Sequence, residues 1–145
     1  MAEYCKVMSD AQLEVLHRLN VAFNERADWV VFYEPDVEFH MPVEWPEDPV
    51  YRGADGLYKV VQLWTENFDE YHWEERKLIE VPPDRVVGLY NQAGRIKGTD
   101  TRIDQAIGIV FRFRGVRIDR VDAFFSWEAA LATPGVSSAD AAGCD

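Results

Sequence analysis

Cysteine is almost absent from this chain: there are two in 145 residues, Cys5 near one end and Cys144 near the other. A disulfide framework spreads its cysteines through the fold, so nothing here points to an oxidising compartment. No C-x-x-C pair and no Cys/His spacing of the zinc type occurs, and no metal ligand set is expected. Long apolar runs are missing too. No stretch approaches the roughly 18 apolar residues of a membrane span, and the opening Met-Ala-Glu-Tyr-Cys-Lys lacks the apolar centre of a secretory signal. Basic clusters are the third absence. With 15 Lys and Arg against 26 Asp and Glu, the formal net charge is −11. Such a field repels polyanions, which argues against nucleic acid and anionic membrane as partners. The expectation is a cytoplasmic protein, and nothing in the sequence calls for a cofactor.

What is present is apolar and aromatic: 48% of residues are hydrophobic and 13% are Phe, Trp or Tyr. The length suits one domain, and a chain of this size buries roughly 70% of its unfolded surface. The aromatic excess suits either a large core or a lined cavity.

Ser9 and Gln12 form a capping box ahead of Leu13, Leu16, Leu19 and Phe23, which recur at helical spacing. This predicts an amphipathic helix of about 17 residues. The apolar stretch 29–33 reads as a short second helix, stopped by Glu34-Pro35-Asp36. Residues 37–41 alternate as a strand, and the proline-rich segment 42–53 reads as a loop. From Ala54 onward, Leu57, Val60, Val61, Trp64 and Phe68 give the strongest helix signal in the chain. Four strands are predicted after it, at 71–81, 85–92, 102–114 and 116–125, and a helical turn at 127–131. Helices grouped ahead of a meander mean an α+β fold. The expected organisation is a lead-in at 1–8, a domain at 9–132 and a disordered tail at 133–145.

The run Phe-Tyr-Glu-Pro-Asp-Val-Glu-Phe-His-Met-Pro at 32–42, the segment Asp-Pro-Val-Tyr-Arg-Gly-Ala-Asp-Gly at 48–56, Gly-Arg-Ile-Lys-Gly at 94–98 and the closing hairpin 113–125 are similar to one known pattern. Together they resemble the SnoaL-like branch of the nuclear-transport-factor-2-like superfamily, over roughly residues 9–132. The resemblance implies a cone, with three N-terminal helices packed on a curved antiparallel sheet around an apolar pocket. It does not imply one activity, because the superfold hosts isomerases, cyclases, hydrolases and adaptors. The steroid isomerases of the superfamily use an aspartate base, a tyrosine and a protonated aspartate. Those positions fall here on Met41, near Leu19 and near Ile109, none of which carries a proton. The Asp-Arg-Asp set of the limonene-type epoxide hydrolases falls on Val87, Arg85 and Ala123, so only the arginine is kept.

Strand alternation nominates the pocket's other residues. If Ile107 and Ile109 face inward, Gln105 joins them; the same parity taken from Val87 and Leu89 turns Asn91 inward. The two amides either fix a ligand or water, or satisfy each other. His40 is a candidate catalytic group, since histidine titrates near neutrality, and Glu44, Glu47 or Asp48 of the loop could supply an acid or base instead. His40 reaches the isomerase-base position only if the register changes; with Phe39 and Met41 inward, it faces away. Trp45 and Tyr51 are expected over the cone's mouth, with Tyr33, Trp64, Tyr90 and Phe125 adding aromatic wall or core. The outer sheet face, read as Ala106, Gly108, Val110, Tyr90 and Phe124, is too apolar for water and predicts a homodimer through the sheets. The functional expectation is a small apolar ligand (cyclic, terpenoid, steroid or polyketide-like), with or without acid/base catalysis. The alternatives are a non-catalytic binding protein and a protein-interaction module.

Overall fold

A computed structural model describes residues 10–136. The expectations for residues 1–8, for the Ser9 cap and for both cysteines lie outside the described residues. Helix α1 (Asp10–Asn24) buries Leu16 and Leu19 and leaves Glu14 and Arg18 paired at 3.0 Å on its exposed side. The short helix expected next is only a 3-10 turn at Val30–Phe32. Tyr33 is already extended, at φ −109° and ψ 150°. Pro35 follows two residues later and disfavours helix at Glu34, so no room is left for a full turn.

Strand β1 (Tyr33–His40) starts earlier than its alternation suggested. A short strand, β2 (Val50–Arg52), lies in the segment expected to be all loop, and it pairs Tyr51 with Phe39. Three residues are too few for a period to show. Helix α2 (Gly53–Thr65) buries Leu57 and Val60. Gly53 opens it at φ +69°, a conformation that favours glycine. Strands β3 (Phe68–Val81), β4 (Arg85–Ile96), β5 (Arg102–Arg114) and β6 (Arg117–Phe124) follow, and helix α3 (Trp127–Leu131) comes after them.

The sheet order is β2-β1-β6-β5-β4-β3. β1 runs parallel to β6 while the other neighbours are antiparallel, so the sheet is mixed rather than purely antiparallel. The helices are not all N-terminal either, since α3 follows the last strand. The fold is α+β, with α1 and α2 on the inner sheet face and α3 on the outer one.

The main core joins α1 and α2 to the inner face through Leu16, Val60, Ile107, Ile109, Ile118 and Val121. Each such fully buried aliphatic side chain contributes roughly 1.5–3 kcal/mol through removal from water. The outer face carries Ile79, Val81, Val87, Leu89 and Val110, packed beneath Ala130 of α3. Gly108 is where α3 touches down: a Cβ there would lie 2.3 Å from the Ala130 Cβ and 3.1 Å from the Ser126 carbonyl. Ser126 caps α3 by accepting from the Ala129 N–H at 3.0 Å, and Trp127 Nε1 donates to the Tyr90 carbonyl at 2.9 Å.

Two expectations change here. Residues 133–136 belong to the fold, since Val136 packs on the outer cluster and Arg85 donates to the Pro134 carbonyl at 2.8 Å. Residues 137–145 lie outside the described part. On the outer face, Gly108 and Val110 are covered by the chain's own α3, and Tyr90 is not there at all but on the inner face.

Candidate functional site

A cavity of about 80 Å³ lies between α1, α2 and the inner sheet face. Its helical wall includes Leu19, Asn20 and Phe23 from α1 and Leu57, Val60, Val61, Trp64 and Thr65 from α2. Its sheet wall includes Phe39, Tyr71, Trp73, Tyr90, Ile109, Phe111 and Val121, closed at one side by Trp29 and Tyr33. One probe sphere, the space one water needs, corresponds to roughly 10–15 Å³ of such volume. The cavity therefore suits a molecule of about one ring, and a fused polycycle needs the walls to move.

Aromatic rings dominate the lining, and many meet edge to face, as Phe23 does with Trp29 at 6.1 Å and with Trp73 at 6.0 Å. Trp73 and Tyr90 sit 5.2 Å apart. Polar groups divide into two sets. Gln92 Oε1 accepts from Trp64 Nε1 at 2.9 Å and from the Tyr71 hydroxyl, which in turn accepts from Trp73 Nε1 at 2.7 Å. Gln92 Nε2 donates to Gln105 Oε1 at 3.3 Å. This network is internally satisfied. Tyr33 and Tyr90, which also line the cavity, take no part in that network. Burial pushes the pKa of Tyr33, Tyr71 and Tyr90 up, and the charge of Glu75 adds to the effect at Tyr90. All three stay protonated at neutral pH.

Glu75 occupies the inward position of β3 directly opposite Tyr90. One carboxylate oxygen contacts His17 Nδ1 of α1 at 2.7 Å. The other, Oε1, is buried with no hydrogen-bond partner, the one such side-chain atom among the described residues.

A second hollow, of about 320 Å³, adjoins the cavity and shares Trp64 and Tyr71 with it. Trp45 stacks on Trp64 at 6.1 Å and 24°. Gln92, Gln105 and Phe125 complete its floor.

Of the residues nominated from sequence, Leu19, Tyr33, Phe39, Trp64 and Ile109 line the cavity, and Trp45, Gln105 and Phe125 line the second hollow. Met41, Ile107 and Ala123 face inward but are core. Tyr51 packs against that core, and its hydroxyl accepts from Trp45 Nε1 at 3.4 Å. Val87, Leu89 and Asn91 are corrected: they face outward, Val87 and Leu89 in the outer cluster and Asn91 donating to Asp104 Oδ1 at 2.7 Å. The reason is that residues 86–90 of β4 are buried on both faces, so apolar alternation gives no sign of which side is inward. The true inward set is Val86, Gly88, Tyr90 and Gln92, opposite Phe111, Ile109, Ile107 and Gln105. His40 is corrected as well. It faces away from the cavity, where its Nε2 meets Glu38 Oε1 at 3.0 Å, because Phe39 and Met41 take the inward positions.

Sequence reasoning missed Phe23, Trp29, Tyr71, Trp73 and Phe111 as lining, and missed Glu75 and His17 altogether. The signal for β3 was present, since Tyr71, Trp73 and Glu75 share one parity. The run Glu74-Glu75-Arg76-Lys77 disguised it as a solvated edge.

The chain belongs to the SnoaL-like domain family, whose model matches residues 14–121. Among solved structures with the same fold is a TerC structure co-crystallized with polyporic acid (TM-score 0.69, 18% identity, covering 82% of this chain and 94% of that one). Another is from Jannaschia sp. CCS1 and is described as a "Putative SnoaL-like polyketide cyclase" (TM-score 0.69, 14% identity, 92% and 96%). A third is a ketosteroid isomerase-like protein from Catenulispora acidiphila in complex with trimethylamine (TM-score 0.64, 18% identity, 86% and 94%). At these identities the likeness concerns the fold. A comparison with curated proteins finds no match. Among the described residues, no helix is long and apolar enough to cross a membrane.

Proposed function

We propose that this protein binds a compact, largely apolar molecule of about one ring in the cavity between α1, α2 and the sheet. One observation carries the reading: a space of about 80 Å³ whose walls on α1, α2 and the sheet are mostly aromatic rings. An apolar ring that leaves water for such walls gains about 25 cal/mol per Å² of its buried surface. The fold supports the reading in that similar folds hold molecules such as polyporic acid and trimethylamine.

A thermal-shift panel of cyclohexanone, benzyl alcohol, phenol and indole tests it. A ligand at about one hundred times its dissociation constant stabilises the fold by about 2.7 kcal/mol, a rise of several degrees in Tm. Val60 is buried in the cavity wall, so Val60→Phe should fold and no longer respond. A flat response from the unsubstituted protein across the whole panel removes the reading.

Acid/base chemistry on the bound molecule is a second reading, favoured by the carboxylate of Glu75 behind Tyr90. A second copy of the chain against the outer face is also proposed, on Ala106 and Phe124, which α3 leaves half-buried. Gel filtration at micromolar concentration should show a dimer, and a monomer there ends that idea.

A further inference from the structure

The hydrogen bonds beside the second hollow run in one direction, and an indole sets it. Trp64 Nε1 can only donate, and it donates to Gln92 Oε1 at 2.9 Å. That contact fixes which end of the Gln92 amide is oxygen. The Tyr71 hydroxyl accepts from Trp73 Nε1, a second donor-only group, and so gives its own proton to the same oxygen. Both lone pairs of Gln92 Oε1 are then taken. Gln92 Nε2 is left to donate to Gln105 Oε1, at 3.3 Å. Gln105 therefore turns its oxygen toward Gln92, and its own Nε2 is the outer end of the relay. The bond from Gln92 is the one that the Gln105 side chain makes among the described residues.

Both glutamines line the hollow, Gln92 buried and Gln105 exposed. What the pair leaves is the second proton of Gln92 Nε2, both protons of Gln105 Nε2 and a single lone pair on Gln105 Oε1. The surplus is of donors, so a molecule seated against them gains most by bringing an acceptor. Asn67, which also lines the hollow, carries groups of both kinds and leaves that surplus in place. The rest of the wall is largely apolar. Trp45 and Trp64 lie within 24° of parallel, and Phe125 meets Trp64 edge-on at 6.0 Å. Such rings suit a flat, unsaturated molecule. Among the described residues, none that lines the hollow is charged, so an ion would give up hydration with no counter-charge in return. At about 320 Å³, against about 80 Å³ for the cavity, the hollow reaches the lower end of the range for small-molecule sites.

We infer that the hollow is a second ligand site, taking a flat, neutral molecule of two fused rings whose polar group is a hydrogen-bond acceptor (a ring carbonyl or an aza nitrogen) met by Gln105 Nε2. The hollow adjoins the cavity, and Trp64 and Tyr71, both bonded to Gln92, line the two spaces in common. The inference does not require the cavity to be filled. No bond is made or broken; Gln105 holds the acceptor and selects for it.

The test uses three fused bicycles of nearly equal size: coumarin and quinoline, which carry an acceptor and no donor, and naphthalene, which carries neither. Each is titrated by calorimetry near neutral pH into the full chain, into Gln105→Glu and into Gln105→Leu. The first variant keeps an acceptor for Gln92 but has no proton to give, and the second removes the amide without adding charge. Coumarin and quinoline should bind the unsubstituted protein and weaken by at least about fivefold in both variants, the worth of one neutral hydrogen bond. Naphthalene should change by less than about twofold. If one variant does not fold, the other decides. Coumarin and quinoline affinity that survives the substitution overturns the inference, and so does an equal loss for naphthalene. Binding of neither coumarin nor quinoline to the unsubstituted protein overturns it too. Val60→Phe, which fills the cavity, locates the molecule: coumarin should bind it as before, and loss there puts coumarin in the cavity and overturns the second site. A flat response to the one-ring panel removes the cavity reading and leaves this one standing.

Discussion

Stability should collapse above about pH 10, falling by about 4 kcal/mol per pH unit once unfolded tyrosine is almost fully ionised, above about pH 11. Tyr33, Tyr71 and Tyr90 are held protonated by burial, their pKa values raised above the ordinary value of 10.0. In the unfolded chain each releases its proton near pH 10. Above that pH the unfolded state binds fewer protons than the folded one, so the unfolding free energy decreases as pH rises. The contribution is fully present below the unfolded value and is lost on the way up to the folded one. Each tyrosine supplies a slope of about 1.4 kcal/mol per pH unit, and the net charge of −11 adds self-repulsion in the same direction. Urea unfolding at about pH 11 and about pH 12 measures the slope, and near-ultraviolet absorbance counts tyrosinates. Of the six tyrosines, these three should ionise only as the fold is lost. Tyr90→Phe should reduce the slope by about 1.4 kcal/mol per pH unit. A chain that titrates all its tyrosines near pH 10 while still folded would rule out their burial as described.

Those tyrosines also mark where the sequence was legible. Helix α2 was plain because Leu57, Val60, Val61 and Trp64 repeat at 3.6 residues, and helical burial depends on that period alone. β5 was equally plain, and the inward parity of Gln105, Ile107 and Ile109 follows from it. β4 was found as a strand but turned over, because a strand covered by α1 and α2 on one side and α3 on the other is apolar at every step. Its inward residue Tyr90 was consequently placed outside, and with it went the partner position, Glu75. The site's charged group was hidden for a related reason. Glu75 belongs to a run of charges whose other members, Glu74 and Arg76, are exposed and pair with each other at 3.2 Å. Composition cannot separate the half-buried Glu75 from its solvated neighbours; only the register opposite Tyr90 does. The parallel pairing of β1 with β6 was invisible for a different reason, as it joins segments some eighty residues apart through long-range closure rather than a turn.

Replacing Gly88 with valine should abolish binding in the cavity and lower stability by about 3 kcal/mol, the upper part of the range for overpacking a filled core. Gly88 sits on the inner face of β4, opposite Ile109, and the ring of Tyr90 folds back over it. A Cβ at position 88 would stand 2.4 Å from Tyr90 Cε2 and 2.9 Å from its hydroxyl oxygen. The ring cannot retreat sideways, since Trp73 lies 5.2 Å from it and Phe111 6.4 Å. It must move toward the space a ligand would fill, carrying away the hydroxyl that ligand would meet. Because the obstacle is a side chain, its removal should relieve the strain: a Gly88→Val cost measured with Tyr90→Ala already present should be smaller by at least about 1 kcal/mol, the coupling typical of residues in contact. Chemical denaturation of the four proteins in that cycle supplies the number, and thermal shift with benzyl alcohol supplies the binding result. Additive costs would mean that Gly88 is required by the backbone rather than by Tyr90. Undiminished binding in Gly88→Val would mean that the Tyr90 hydroxyl has no part in holding the ligand, which leaves Tyr33 as the donor.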